Sequence, residues 1–319
     1  MPSSVHIAGP ERGYAAHPGP LSVHPEVAEA IATGRAVVAL ESTILAHGLP
    51  PGDNLRVGRE IEAAVRAAGA VPATIALLDG QVRVGLDDSG LQRLCDPAAD
   101  ILKLSIRDVG VALALGRNGA TTVASTSALA HRAGISVFAI GGLGGVHPEI
   151  GGDIEGLRRA PVLVVCAGVK SILDVPGTLE YLETLSVPVL GFRTDAFPGF
   201  YLSDSGYAAP WRVESAAAAA AVVHAREVLG GESAGVVLAN PLPVDRQVDP
   251  ALHDRLVADG LAMLDREGIH GKAVTPALLA YFHEHSGGES LRANVELVLA
   301  NAGLAGAVAV ELAALRGAA

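Results

Sequence analysis

Val162-Leu163-Val164-Val165-Cys166-Ala167-Gly168-Val169-Lys170 passes from an unbroken apolar segment through a glycine to a lysine. A strand with one wet face alternates apolar and polar residues, whereas one covered on both faces is apolar throughout. Residues 162–166 therefore read as a central strand of a mostly parallel sheet with helices on either side. Short apolar runs and helical patterns alternate outward from it, the signature of an α/β chain. Upstream, residues 37–40, 73–78, 81–84, 101–104 and 137–140 read as strands, and Asp79-Gly80 signals a two-residue hairpin. Helices are expected over 54–68, capped by Asn54, and over 122–133, each followed by a glycine. Downstream come a helix over 178–185, a strand over 187–191, a helix over 214–229 and a strand over 235–239. Three helices are expected from Pro250 onward. The expected architecture is a single three-layer α/β/α domain over residues 21–319 with a central, largely parallel sheet. Residues 1–20, rich in Gly, Pro, His and Ala without periodicity, read as a loose arm.

Half of the 319 residues are apolar, 18% are charged and 38 are glycine, which excludes a disordered chain and a disulfide scaffold. The formal net charge of −11 argues against nucleic acid or an anionic membrane as partner. No apolar run reaches the roughly 18 residues that span a bilayer, and Met1-Pro2-Ser3-Ser4 lacks the basic start of a signal peptide. With Cys95 and Cys166 as the only cysteines, a reduced cytoplasmic protein is expected.

Of the 23 basic residues only Lys103, Lys170 and Lys272 are lysines. Where arginine dominates so strongly, a retained lysine raises the question of what arginine cannot supply: a compact charge, or an amine that can lose its proton and attack a carbonyl. Ligands of open α/β sheets gather where strands end, and four strand ends carry notable residues. Lys170 follows the central strand; it reads either as a desolvated nucleophile able to form a Schiff base or as a lysine opening the next helix. Glu41, after the strand 37–40, reads as a general acid/base of raised pKa or as a cap or ion-paired loop residue. Lys103 and Arg107, four apart, form a small anion site or a solvated face. Gly141-Gly142-Leu143-Gly144-Gly145, followed by His147, allows backbone N–H groups to approach a phosphate, without the spacing of a P-loop or dinucleotide fingerprint.

Taken together, several motifs resemble those of pseudouridine-5′-phosphate glycosidases. They are Leu40-Glu41-Ser42-Thr43-Ile44, His47-Gly48-Leu49-Pro50, Lys103-Leu104-Ser105-Ile106-Arg107-Asp108 and Gly119-Ala120-Thr121-Thr122-Val123-Ala124. The 141–147 segment, Cys166 to Asp174, Ala239-Asn240-Pro241-Leu242-Pro243, Gly271 to Pro276 and Ser290 to Asn294 continue the match in family order. The resemblance implies a homotrimer that reversibly cleaves a C–C glycosidic bond to ribose 5-phosphate. The ribose ring opens, a lysine forms an imine at C1′ as the base carbon departs, and a glutamate moves the protons. Carried over by motif, Lys170 is the nucleophile and Glu41 the general acid/base. Lys103 and the backbone near Val123 contact substrate, Asn294 binds the pyrimidine or sugar, and His147 lies near the phosphate. A manganese ion is bound through an aspartate, for which Asp153 is the candidate.

One stretch departs from the family pattern. After the glycine cluster the chain reads His147-Pro148-Glu149-Ile150-Gly151-Gly152-Asp153-Ile154-Glu155-Gly156-Leu157. Pro148 stands for the family's arginine, Gly152 for its aromatic residue, and a Ser-x-Asp unit is missing. A shorter segment leaves room beyond C1′ for an aromatic acceptor bulkier than uracil. Two directions follow: degradation of pseudouridine 5′-phosphate to uracil and ribose 5-phosphate, or synthesis of a C-glycoside on an aromatic secondary metabolite. A sugar-phosphate-binding protein without turnover and a Schiff-base aldolase for another sugar are the remaining readings.

Overall fold

The structure, a computed structural model, describes residues 21–317 other than 148, 151, 171, 172, 231 and 232. The arm expected over residues 1–20 lies outside the described residues.

The chain begins with β1 (Leu21–Val23), α1 (Pro25–Ala32), β2 (Val37–Leu40), a π-helical turn (Ile44–Gly48), α2 (Asp53–Ala67), β3 (Val71–Leu78) and β4 (Gln81–Val84). It continues through α3 (Asp88–Cys95), β5 (Ile101–Leu104), α4 (Ile106–Ala114), β6 (Asn118–Thr121), α5 (Val123–Arg132) and β7 (Val137–Ala139). A small ribbon of β8 (Val146–His147) and β9 (Glu149–Ile150) leads to α6 (Gly152–Arg158), β10 (Leu163–Cys166), α7 (Val175–Thr184) and β11 (Val189–Phe192). A hairpin of β12 (Ala196–Gly199) and β13 (Leu202–Ala208) precedes β14 (Trp211–Val213), α8 (Ala216–Leu229) and β15 (Val236–Ala239). Helices α9 (Pro250–Glu267), α10 (Val274–His285) and α11 (Glu289–Gly317) follow.

The sheet runs β1-β4-β3-β2-β7-β10-β15-β11-β14, with β6 also on β3 and β5 beside β6. Only β3–β4 and β3–β6 are antiparallel; every other pairing in it is parallel. The central position of 162–166 is as expected, with β10 between β7 and β15. Its unbroken apolarity has a direct cause. Leu163 and Val165 pack into one core with residues of α2, α8 and α11, while Val164 and Cys166 enter a second core with residues of α1, α5 and α6. Strand side chains alternate between faces, so a helix layer on both sides demands an apolar residue at every position. Burying each valine contributes roughly 1.5–3 kcal/mol.

Three local expectations change. Asn54 does not cap α2: Gly52 holds that position at φ 94°, and Asn54 is buried, its Nδ2 donating to Leu45 O at 3.1 Å and Cys95 O at 3.0 Å. Two buried carbonyls need a donor, and a side chain supplies it. The helix expected from residue 178 starts at Val175, because Asp174 accepts from Gly177 N at 3.0 Å and Pro176 suits the first turn. Finally, α11 is long and apolar enough by length and composition to cross a membrane; half of that apolar window is buried in this fold, with Asn294, Leu297 and Ala305 among its buried residues.

Candidate active site

The parallel strands deliver their loops to one edge of the sheet, and a cleft of about 650 Å³, open to solvent, lies there. Glu41, Lys103, Val123, Asp153, Lys170 and Asn294 all line it. Of the site residues expected from sequence, His147 alone is not placed in it: its backbone belongs to β8, and its side chain lies outside the described residues.

Glu41 directly follows β2, and its neighbours fix that strand end. Ser42 Oγ donates to Ile75 O at 2.6 Å and accepts from Thr121 N at 2.8 Å, while Thr43 Oγ1 donates to Thr121 O at 2.8 Å. The Glu-Ser-Thr triplet thus divides its work: two hydroxyls tie β2 to β3 and β6, and the carboxylate is left facing the cleft. Burial pushes the Glu41 carboxyl up to about 7; nearby Asp153 adds to this, and Lys170 and Lys103 oppose it. A carboxyl of that affinity exists in both protonation states near neutrality.

Lys170 stands four residues beyond β10 and is half-buried. It does not open a helix, since α7 starts at Val175. Its N–H donates to Leu143 O at 3.2 Å, and Leu143 N donates to Gly168 O at 2.9 Å, so the lysine and glycine segments run side by side. Gly168 has φ +81°, and any Cβ there would overlap the Pro198 carbonyl; only glycine permits that approach. Phe200 N donates to Ala167 O at 2.9 Å and locks the β12–β13 hairpin against this segment.

The glycine cluster serves packing more than left-handed backbone. None of its four glycines has positive φ. A Cβ on Gly142 would meet the Phe200 ring at 2.5 Å, one on Gly144 would meet Asp153 Oδ2 at 2.5 Å, and one on Gly145 would meet Thr178 Oγ1 at 2.5 Å. Asn301 Nδ2 donates to Ile140 O at 2.8 Å and Gly141 O at 3.2 Å, anchoring the cluster to α11. The expected Lys103–Arg107 anion site does not form: Lys103 lines the cleft, whereas Arg107 is exposed and 3.7 Å from Asp108.

Asn294, on α11, is 2% exposed, and its Oδ1 has no hydrogen-bond partner. A buried acceptor left without a donor normally costs 1–3 kcal/mol, so a donor from a bound molecule is its natural complement. Asp153 Oδ1 accepts from Ala124 N at 3.3 Å. Among the described residues no three His, Cys, Asp or Glu side chains cluster. The Asp153 carboxylate is a donor of the type a hard divalent ion takes, and as a single carboxylate it would leave the rest of such an ion's shell to waters and substrate oxygens.

Sequence reading missed several lining residues. His47 and Pro276 lay inside quoted motifs, with nothing to mark their direction. Phe200 gave no signal at all. It lies in the left-handed region at φ 61°, a conformation that costs of order 1–3 kcal/mol for such a residue and that clusters at functional sites.

The model of the family described as "Indigoidine synthase A like protein" matches residues 26–311. A pseudouridine-5′-phosphate glycosidase of Salinispora tropica is 58% identical over 295 residues, covering 91% of each chain. One of Streptomyces griseus is 53% identical, covering 91% of this chain and 92% of its own. Among solved structures, the prealnumycin C-glycosynthase AlnA in complex with ribulose 5-phosphate superposes with a TM-score of 0.85 at 40% identity, covering 94% of this chain and 99% of its own. An indigoidine synthase A-like protein from Thermotoga maritima gives 0.82 at 32% identity, covering 95% and 100%. With residues 26–311 matched by the family model and its fold and length matched by relatives, this chain belongs to the indigoidine synthase A-like family, which it shares with enzymes named pseudouridine-5′-phosphate glycosidase.

Proposed function

We propose that the chain is a C-glycosidase that splits pseudouridine 5′-phosphate and water into uracil and ribose 5-phosphate. The observation that carries this is the joint presence, in one cleft, of the Lys170 amine and a Glu41 carboxyl whose proton affinity lies near 7. In this reading the Lys170 nitrogen bonds to C1′ as the ring C1′–O4′ bond breaks, and the ring oxygen takes a proton. The C1′–C5 bond then breaks, its electron pair leaving with the base carbon, which receives a proton from Glu41. The nitrogen lone pair completes an imine at C1′, and water hydrolyses it to free the sugar aldehyde. Glu41 can give and retake protons because neither of its forms is strongly favoured near neutral pH. Lys103 and the backbone at Val123 hold the sugar phosphate, with His147 contributing from the ribbon, and Asn294 Oδ1 accepts an N–H of the base. Manganese bound at Asp153 would add positive charge beside the substrate oxygens.

The reading includes a homotrimer in the cytoplasm. Two unpaired buried thiols suit a reducing compartment, and the exposed Val111 and Leu115, four apart at the end of α4, suit burial by a second copy. The decisive experiment incubates the protein with pseudouridine 5′-phosphate and manganese and follows uracil release. Absence of release with retained ribose 5-phosphate binding refutes the degradative direction.

A synthetic direction, joining ribose 5-phosphate to an aromatic acceptor, is favoured by the shortened segment before Asp153 and by the likeness to a C-glycosynthase. Formation of a C-glycoside from ribose 5-phosphate and a polycyclic phenol, without uracil release, would establish it.

A further inference from the structure

Phe197-Pro198-Gly199-Phe200-Tyr201 carries the turn of the β12–β13 hairpin, with Gly199 paired to Leu202 and Phe200 and Tyr201 between them. A two-residue turn that follows the twist of its strands takes a left-handed backbone at its first residue, where glycine is the usual occupant. Here that residue is Phe200, at φ 61°, although a glycine stands one place earlier and adopts no left-handed backbone itself. Among the described residues the other non-glycines of positive φ, Asp79, Ser186 and Arg193, are exposed, whereas Phe200 is buried and lines the cleft. Strain of this kind persists only where the surroundings over-determine it.

The contacts that do so converge on the segment bearing Lys170. Ala167 N donates to Gly141 O at 2.8 Å, Leu143 N to Gly168 O at 2.9 Å and Lys170 N to Leu143 O at 3.2 Å. Residues 167–170 and 141–143 thus form a short ladder that ends at the lysine. Phe200 holds both rails. Its N–H donates to Ala167 O at 2.9 Å, and its ring fills the space that a side chain on Gly142 would need, with the Tyr201 ring edge-on to it at 4.6 Å. Glycine at 200 would relieve the backbone and keep the N–H; only the ring is lost. We propose that Phe200 is a positioning residue, whose ring, pressed on Gly142, sets where the ladder lies and so where the Lys170 amine meets the sugar carbonyl. A displaced attacking atom slows the chemical step while leaving binding contacts in place. This rests on the proposed Schiff-base reaction and names what aims its nucleophile.

Single-turnover hydride trapping of ribose 5-phosphate tests it, with the sugar concentration varied so that rate and affinity separate. Phe200→Leu keeps an apolar side chain and the backbone N–H but withdraws the ring. The trapping rate at saturating sugar should fall about tenfold, with the half-saturating concentration within about threefold of wild type. Gly142→Ala leaves Phe200 in place and displaces its ring from the other side, so it should give the same split. The double variant should be no slower than the slower single one, because both act through one contact. Rates are taken per folded molecule, the folded fraction being read by circular dichroism at the trapping temperature. A wild-type rate per folded molecule in both single variants overturns the inference and leaves the ring a packing element. So do additive losses in the double variant, and so does weakened affinity at an unchanged rate, which would mean that the ring reads the sugar. If wild type itself traps no sugar, the Schiff-base reading fails instead and takes this assignment with it.

Discussion

Replacing Glu41 with glutamine removes a single ionisable proton from the cleft while keeping the side chain's shape, which makes its thermodynamic signature calculable. Burial raises this carboxyl from an ordinary value of 4.5 to about 7. The folded protein thus binds the proton more tightly than the unfolded chain does. For an acid raised in this way, the stability contribution is complete below 4.5, falls as pH rises, and levels off above 7. A displacement of roughly 2.5 pH units corresponds to about 3 kcal/mol between the limits. Part of that is already lost at pH 5, where the unfolded chain has begun to ionise. Between about pH 5 and pH 8, wild type should lose about 2.5 kcal/mol relative to Glu41→Gln. Urea denaturation of both proteins at one fixed protein concentration measures this, the fixed concentration removing any contribution from assembly. Glu41→Gln should become the more stable protein at alkaline pH while failing to turn over pseudouridine 5′-phosphate. A stability difference that stays flat across this range refutes the desolvated carboxyl, and with it the shared-proton account of Glu41.

Lys170→Arg keeps the charge but cannot form an imine, so hydride trapping should leave residue 170 unlabelled while sugar-phosphate binding by calorimetry stays within about threefold, below 1 kcal/mol; a labelled protein would identify another nucleophile. Asp153→Asn removes a like charge beside Glu41, so the Glu41 ionisation seen in the pH profile of kcat/KM should move to lower pH, and the manganese concentration needed for half-activity should rise; an unmoved profile refutes the electrostatic link. Gly168→Ala places a methyl against the Pro198 carbonyl at a φ that disfavours it, and should cost at least about 2 kcal/mol in denaturation together with reduced trapping at Lys170. Unchanged stability there would show that the hairpin does not clamp the lysine segment.

Strand ends were legible in the sequence because apolar runs in a two-sided sheet are continuous and their terminations abrupt. Glu41, Lys103 and Lys170 could be found in that way, and Asn294, Val123 and Asp153 only through resemblance to a family. What could not be read was anything decided between distant segments. The β12–β13 hairpin has no alternating core face, since β13 is mostly exposed, and it is held by Ala167 and Gly168 from elsewhere in the chain. Asn54 has the sequence appearance of a cap, yet its amide is drawn inward by carbonyls of Leu45 and Cys95. The glycine cluster suggested backbone open to a phosphate, and Gly141, Gly142 and Gly144 do line the cleft, but that Phe200, Asp153 and Thr178 fill the space of the missing side chains was not legible. Arg107 shares a motif with Lys103 but sits on the far side of a strand-to-helix turn, so spacing of four residues did not mean a shared face.

Helix α11 has a consequence for the order in which this site comes into being during synthesis. Lys170, Glu41 and the glycine cluster are all encoded before residue 171, but Asn294 and the Asn301 amide that grips Ile140 and Gly141 come more than 120 residues afterwards. A nascent chain leaving the ribosome thus carries Lys170 and Glu41 long before it carries Asn294, which completes the lining of their cleft. The cleft is complete only when residues 289–301 have emerged and docked, so its assembly waits on nearly the whole of translation.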